Sequence, residues 1–149
     1  MELTIFCRFS VGNCDFGWTS YQGYCYFINE QLQTYEKAKS YCRQQNASLA
    51  DIQSAAENTF LTKLVPTNLP RGVWIGYDDI AKEGTFIWDR TGDSGIYHNW
   101  ATTPDIQPDD AGGNEDCVEF LTNRWPNTKG FWNDIPCQWV AASVCEKGR

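Results

Sequence analysis

Only one histidine and one methionine occur in 149 residues, and there is no Cys-x-x-Cys pair. Without a Cys/His spacing of the zinc type, a structural zinc site is excluded. The lone histidine, in Tyr97-His98-Asn99-Trp100, reads as a satisfied structural group rather than an acid–base catalyst. No stretch of about 18 apolar residues exists, so no segment has the makings of a membrane-spanning helix. Basic residues are scarce, 12 against 19 acidic ones for a net charge of −7. That balance removes the cationic face that nucleic acids require. There is no internal repeat and no low-complexity tract. The apolar patch at residues 3–6 is too short for the hydrophobic region of a signal peptide. The expectation is a mature secreted, extracellular chain whose leader has been removed and replaced by a starting methionine.

What is abundant is cysteine and aromatic surface. Seven cysteines in a chain this small point to an oxidising compartment. Aromatics make up 15% of the chain, with seven tryptophans, and Trp74, Trp88, Trp100 and Trp132 are expected to build a Trp-rich core. The length fits one domain with a core of its own. Residues 1–13 read as an N-terminal arm and residues 14–149 as the domain.

Residues 24–28 (YCYFI) have strand composition. Thr34 is placed to cap a helix running to about Gln45, with Tyr35, Ala38, Tyr41 and Cys42 on one face. Ser54-Ala55-Ala56-Glu57 is a capping box for a second helix, with Ala56, Phe60 and Leu64 inward and Pro66 as its stop. Strands are expected at residues 73–77, 85–88, 117–121, 130–133 and 142–146. Helices first and strands afterwards predict an α+β fold with a mainly antiparallel sheet.

Between about Gly92 and Asn114 all periodicity disappears, and a loop that long is uncommon unless it has a function. Asp105, Asp109 and Asp110 lie in it and Glu115 and Asp116 follow directly, the segment being shaped by Pro108 and Gly112-Gly113. Gln107-Pro108-Asp109, Asn114-Glu115-Asp116-Cys117 and Trp132-Asn133-Asp134 gather amides and carboxylates with no apolar partners. Oxygen-only donors suit Ca²⁺, which takes roughly 6–8 of them.

Taken together, Cys14-Asp15-Phe16-Gly17-Trp18, Tyr24-Cys25-Tyr26, the helix bearing Cys42, Trp74-Ile75-Gly76, these three loop segments and Val144-Cys145-Glu146 resemble the C-type lectin domain, in its long form with an additional N-terminal disulfide. The resemblance covers roughly residues 14–147. It implies a C-type lectin-like fold of two helices, antiparallel sheets and a long calcium-binding loop region. It also implies the pairs Cys14–Cys25, Cys42–Cys145 and Cys117–Cys137, where spacing alone leaves many pairings open. Cys7 is left over, and an unpaired cysteine in a secreted arm points to an intermolecular Cys7–Cys7 bridge and a homodimer.

The same resemblance assigns a principal Ca²⁺ to Gln107, Asp109, Glu115, Asn133 and Asp134, the last through side chain and backbone carbonyl. These residues would also contact sugar. Pro108 is expected in cis, turning Gln107 and Asp109 to one face. An auxiliary Ca²⁺ is implied at Asp79, Glu83, Asp110, Glu115 and Asp116, ordering the loop. In this family Gln-Pro-Asp resembles the galactose-type motif. The segment after it has no aromatic residue, and its compact length matches the mannose type, which tips the expectation to mannose-type hexoses. Trp125, in the segment 124–129, is a candidate either to supply a stacking face for sugar from another direction or to sit in the core. Asn46-Ala47-Ser48 has the N-glycosylation pattern and also suits a helix end.

The expected function is non-catalytic, calcium-dependent binding of mono- or oligosaccharides on cell-surface or microbial glycans. The implied setting is agglutination and innate immunity. A glycosidase, which also uses paired carboxylates, is disfavoured because these are committed to metal. A calcium-free protein-recognition domain on the same scaffold is expected to have lost such ligands, and this chain keeps them.

Overall fold

The computed structural model describes residues 14–148. The arm at residues 1–13 and Cys7 lie outside the described residues. The chain builds β1 (Thr19–Tyr21), β2 (Tyr24–Gln33), α1 (Tyr35–Gln44), β3 (Ser48–Leu49), α2 (Ala55–Leu64), β4 (Val73–Asp78), β5 (Ile87–Trp88), β6 (Cys117–Phe120), β7 (Trp132–Ile135) and β8 (Ala141–Gly148). It is an α+β fold in which the strands run β1-β2-β8-β4-β6-β7, with β3 on β8 and β5 on β4. Every pairing is antiparallel except β4 with β8, where Val73 faces Ala142 and Trp74 faces Ser143 in parallel.

Both helices start where local chemistry puts them. Thr34 Oγ1 accepts from Lys37 N at 3.4 Å, and Ser54 Oγ accepts from Glu57 N at 3.1 Å. The returning arm of the capping box lands one residue early, because Glu57 Oε1 accepts from Gln53 N at 2.9 Å. The inward face of α2 departs from the sequence expectation. Ala56 is exposed, Asn58 and Leu61 are buried, and Phe60 and Leu64 are half-buried. The reason is polar. Asn58 Oδ1 accepts from Trp132 Nε1 at 2.9 Å, and its Nδ2 donates to Gly130 O at 2.9 Å. That fixes the rotation of the helix.

Two apolar groups fill the interior. One gathers Trp88, Trp132, Tyr77, Val118 and Phe120 beneath the long loop. The other holds Tyr35, Ala38, Cys42, Trp74 and Cys145 between α1 and the sheet. Trp74, Trp88 and Trp132 are wholly buried, each contributing roughly 150–250 Å² of surface removed from water. Trp100 packs against this core only partly buried.

The disulfides are Cys14–Cys25, Cys42–Cys145 and Cys117–Cys137. The second ties α1 to β8 across 103 residues, which on a chain-entropy basis is worth about 4–5 kcal/mol. The third braces the start of β6 against the chain just after β7. Among the described residues, no helix is long and apolar enough to cross a membrane.

Candidate functional site

The sheet ends at two places that matter. β4 runs out at Asp78-Asp79, and the β6–β7 pair places Cys117 opposite Ile135 and Val118 opposite Asp134. The loop at residues 94–116 lies over these ends. It is pinned from below by Trp132, whose N–H donates to Asn99 O at 2.9 Å and whose carbonyl accepts from Ala101 N at 2.9 Å. The Gln107–Pro108 peptide is cis, as the sequence reading anticipated, and Thr103–Pro104 is cis as well.

Asp109, Glu115 and Asp134 come together, one oxygen of each within 4.8 Å of the others. Asp134 holds the loop down by accepting from Asp109 N at 3.1 Å and Asp110 N at 2.8 Å. Glu115 Oε1 accepts from Ala111 N at 3.0 Å, while Asp110 Oδ1 accepts from Glu115 N at 2.9 Å. Asp110 sits in the left-handed region, with φ 46°, a conformation Asp tolerates better than most residues. Gln107 is buried and its Nε2 donates to Asp109 Oδ2 at 3.4 Å. Asn133 is differently employed: its Nδ2 donates to Glu119 Oε2 at 2.9 Å.

The auxiliary residues divide in two. Asp79, Glu83 and Asp116 form one group, again within 4.8 Å, while Glu115 stands with the principal set. Asp110 is tied to the principal group, its Oδ1 accepting from Glu115 N. Asp79 Oδ2 accepts from Gly84 N at 2.8 Å, and Asp79 N donates to Asp116 O at 3.0 Å.

Three of these carboxyls are held above their usual range. Burial, then the neighbouring Asp109 carboxylate, pushes Glu115 up to about 7. Burial, aided by Glu83 and Asp116, pushes Asp79 up to about 7. Burial also raises Asp134 against the pull of the two backbone N–H groups it accepts from. Gln107 Oε1, Asp79 Oδ1 and Asp116 Oδ1 are buried oxygens with no hydrogen-bond partner. Buried polar atoms are otherwise almost always paired. An all-oxygen donor set whose residues carry unpartnered oxygens fits a hard divalent ion such as Ca²⁺.

His98 is a structural group, its Nε2 3.0 Å from Tyr77 Oη. Trp125 is half-buried under the Arg124 guanidinium, 5.0 Å from its ring centroid. Asn46, at the end of α1, is exposed and has φ 58°.

The sequence reading missed two features. Asp51, Glu57 and Glu146 form a third carboxylate group, with Arg90 Nη2 2.8 Å from Asp51 Oδ2. Burial, with Asp51 and Glu57 alongside, pushes Glu146 up to about 8. Glu119 is the other, wholly buried in β6. In both cases the available signal was a carboxylate set among apolar neighbours: Ala50-Asp51-Ile52 and Val118-Glu119-Phe120.

Two helices on a mixed sheet, crowned by a long loop that collects oxygen donors, define a carbohydrate-recognition domain of the C-type lectin kind. The model of the Lectin C-type domain matches residues 31–147, and the chain belongs to that family. The alpha-N-acetylgalactosamine-specific lectin of Patiria pectinifera is 39% identical over 136 residues, covering 87% of this chain and 77% of that protein. Asialoglycoprotein receptor 2 of Mus musculus is 37% identical over 139 residues, covering 91% of this chain. The chain spans only 42% of that receptor's length. Among solved structures, the mouse scavenger receptor C-type lectin carbohydrate-recognition domain superposes with a TM-score of 0.80 at 28% identity, covering 92% of this chain and 99% of that one.

Proposed function

We propose that this domain binds galactose-type sugars, N-acetylgalactosamine among them, in a calcium-dependent way without chemical turnover. The observation that carries the reading is the convergence of Asp109, Glu115 and Asp134 beside the orphaned Gln107 Oε1. Gln107, Asp109, Glu115, Asn133 and Asp134 would hold the ion, and Asp79, Glu83, Asp110, Glu115 and Asp116 a second, structural one. When bound, calcium supplies open coordination positions for two adjacent sugar hydroxyl oxygens.

The protein's part is hydrogen-bond polarity. Each sugar hydroxyl bound through its oxygen still has a proton to donate and a lone pair to fill. Asp109 and Glu115 only accept, while Gln107 and Asn133 have N–H groups to donate. With glutamine before Pro108 and aspartate after it, donor and acceptor ends are fixed along the segment. Exchanging them reverses that polarity. The galactose assignment departs from the mannose expectation raised by the compact loop. It is supported by this Gln-Pro-Asp order and by the specificity carried in the name of the Patiria pectinifera relative.

A glycan panel with and without chelator tests the reading. Galactose and N-acetylgalactosamine are expected to bind best, and chelator to abolish binding. Preference for mannose would restore the loop-length argument, and binding unchanged by chelator would remove calcium from the account. Asp134→Ala is expected to lose both calcium and sugar binding by at least about 100-fold, because it removes a ligand and the acceptor of two loop N–H groups. Calcium titration of the folded variant checks this.

A secreted location and a Cys7-linked homodimer complete the proposal. One shallow site binds weakly, and two on one particle gain avidity that favours agglutination of glycan-coated cells or microbes. Non-reducing electrophoresis should show a dimer that Cys7→Ser converts to monomer.

A further inference from the structure

Glu119 is an ionisable residue that the sugar-site reading leaves without a task. It is wholly buried on β6, between Val118 and Phe120. Arg124 Nη2 donates to its Oε1 at 2.8 Å and to its Oε2 at 2.7 Å. Gly72 N donates to Oε1 at 3.1 Å. A Cβ at Gly72 would lie 2.5 Å from Phe120 O and 2.8 Å from Glu119 Oε1, so only glycine lets this N–H approach. Stability alone is a poor reason for such a pair, since apolar replacements of buried ion pairs are frequently no less stable.

The remaining donor is the informative one. Asn133 Nδ2 lies 2.9 Å from Glu119 Oε2, and the two residues face each other in register across β6 and β7. Asn133 is also the neighbour of Asp134, which anchors the loop.

We propose that Glu119, clamped by Arg124 and the Gly72 N–H, is a positioning residue that sets which way the Asn133 carboxamide faces. The proposal rests on the calcium-dependent reading above. Both Glu119 oxygens already accept from N–H donors, so the flipped amide would set oxygen against oxygen. Held by its nitrogen, Asn133 keeps its oxygen as the arm turned from Glu119, the arm a cation beside Asp134 requires. Its second amide hydrogen stays free to donate to a sugar oxygen. Arg124 donates to both Glu119 oxygens and so fixes the carboxyl in place, which a half-buried guanidinium can do without itself entering the site.

The test uses Glu119→Gln, and a Glu119→Gln, Arg124→Met pair that avoids leaving the arginine unmatched. Glutamine can turn either oxygen or nitrogen toward Asn133, so the flip is no longer fixed. Calcium affinity of both variants is expected to fall about tenfold in calorimetric titration, the usual effect of losing a partner that orients a metal ligand. In chelator, NMR of the wild type should show the Asn133 amide hydrogens well separated and slow to exchange, and the variants should lose both features. A residue that served stability alone would lower the unfolding temperature and leave calcium affinity of the folded protein untouched. Double-variant affinity within about twofold of wild type overturns the positioning role. So does a freely exchanging Asn133 amide in wild type. A wild-type domain that binds no calcium while its Asn133 amide stays protected overturns the calcium reading itself, and the two failures are told apart by that signal.

Discussion

In chelator the domain is expected to unfold at a higher temperature near pH 5 than near pH 8, and saturating calcium is expected to reverse that order. Glu115 and Asp79 are pushed up to about 7 in the folded protein, and Glu146 to about 8, burial being the first cause in each. A carboxyl whose pKa is raised by folding favours the folded state through its bound proton. That contribution is fully present below the unfolded value near 4 and is lost as pH rises through about 7 to 8. Calcium needs the Glu115 and Asp79 oxygens deprotonated. With one proton released at about 7, apparent affinity should fall about 25-fold between about pH 7.5 and about pH 5.5. At roughly 100 times its dissociation constant, calcium adds about 2.7 kcal/mol, or about 5–10 °C for a chain of this size. Thermal scans across pH, with calcium and with chelator, give the crossing directly. A chelated protein that gains stability steadily up to pH 8 would mean the clustered carboxylates are not in conflict.

That behaviour comes from an arrangement only partly legible in the chain. The helix starts were readable because capping is local: Thr34 and Ser54 act within three residues of themselves. The loop was readable because its chemistry is written in consecutive residues, and the structure brings Asp109 and Glu115 of that run together with Asp134. What escaped depends on contacts between distant segments. Ala56 was expected inward by spacing, yet α2 is turned by Asn58, whose partners Gly130 and Trp132 lie 72 and 74 positions away. The third carboxylate group joins Asp51 to Glu146 across 95 positions, and no local pattern marks such a pair. The short strands β1 and β3 exist because β2 and β8 offer them edges. Residues 85–88 yielded only the two-residue β5. Glu119 looked like one polar residue in an apolar strand until the register set it against Asn133.

Trp132→Ala is expected to cost about 4 kcal/mol or more, the range for deleting a large buried aromatic, and to abolish sugar binding even where the variant remains folded. The ring sits 5.5 Å from Trp88, 5.8 Å from Tyr77 and 5.9 Å from both Tyr97 and Trp100. Two of those partners, Tyr97 and Trp100, belong to the long loop, so the cavity opens beneath the sugar-binding segment rather than in a remote core. The substitution also leaves Asn58 Oδ1 without its donor in a buried place. Trp132→Phe separates these effects. It keeps an aromatic ring in the stack but loses the Nε1–H together with part of the indole, for an expected loss of about 1–3 kcal/mol with calcium affinity nearly intact. Near-UV circular dichroism and chemical unfolding report the packing, and calcium titration at a temperature where both variants are folded reports the site. If Trp132→Ala still bound calcium and galactose normally, the Asp134 side chain and the backbone bonds at position 132 would suffice to hold the loop, and the aromatic stack would be core material without a part in binding.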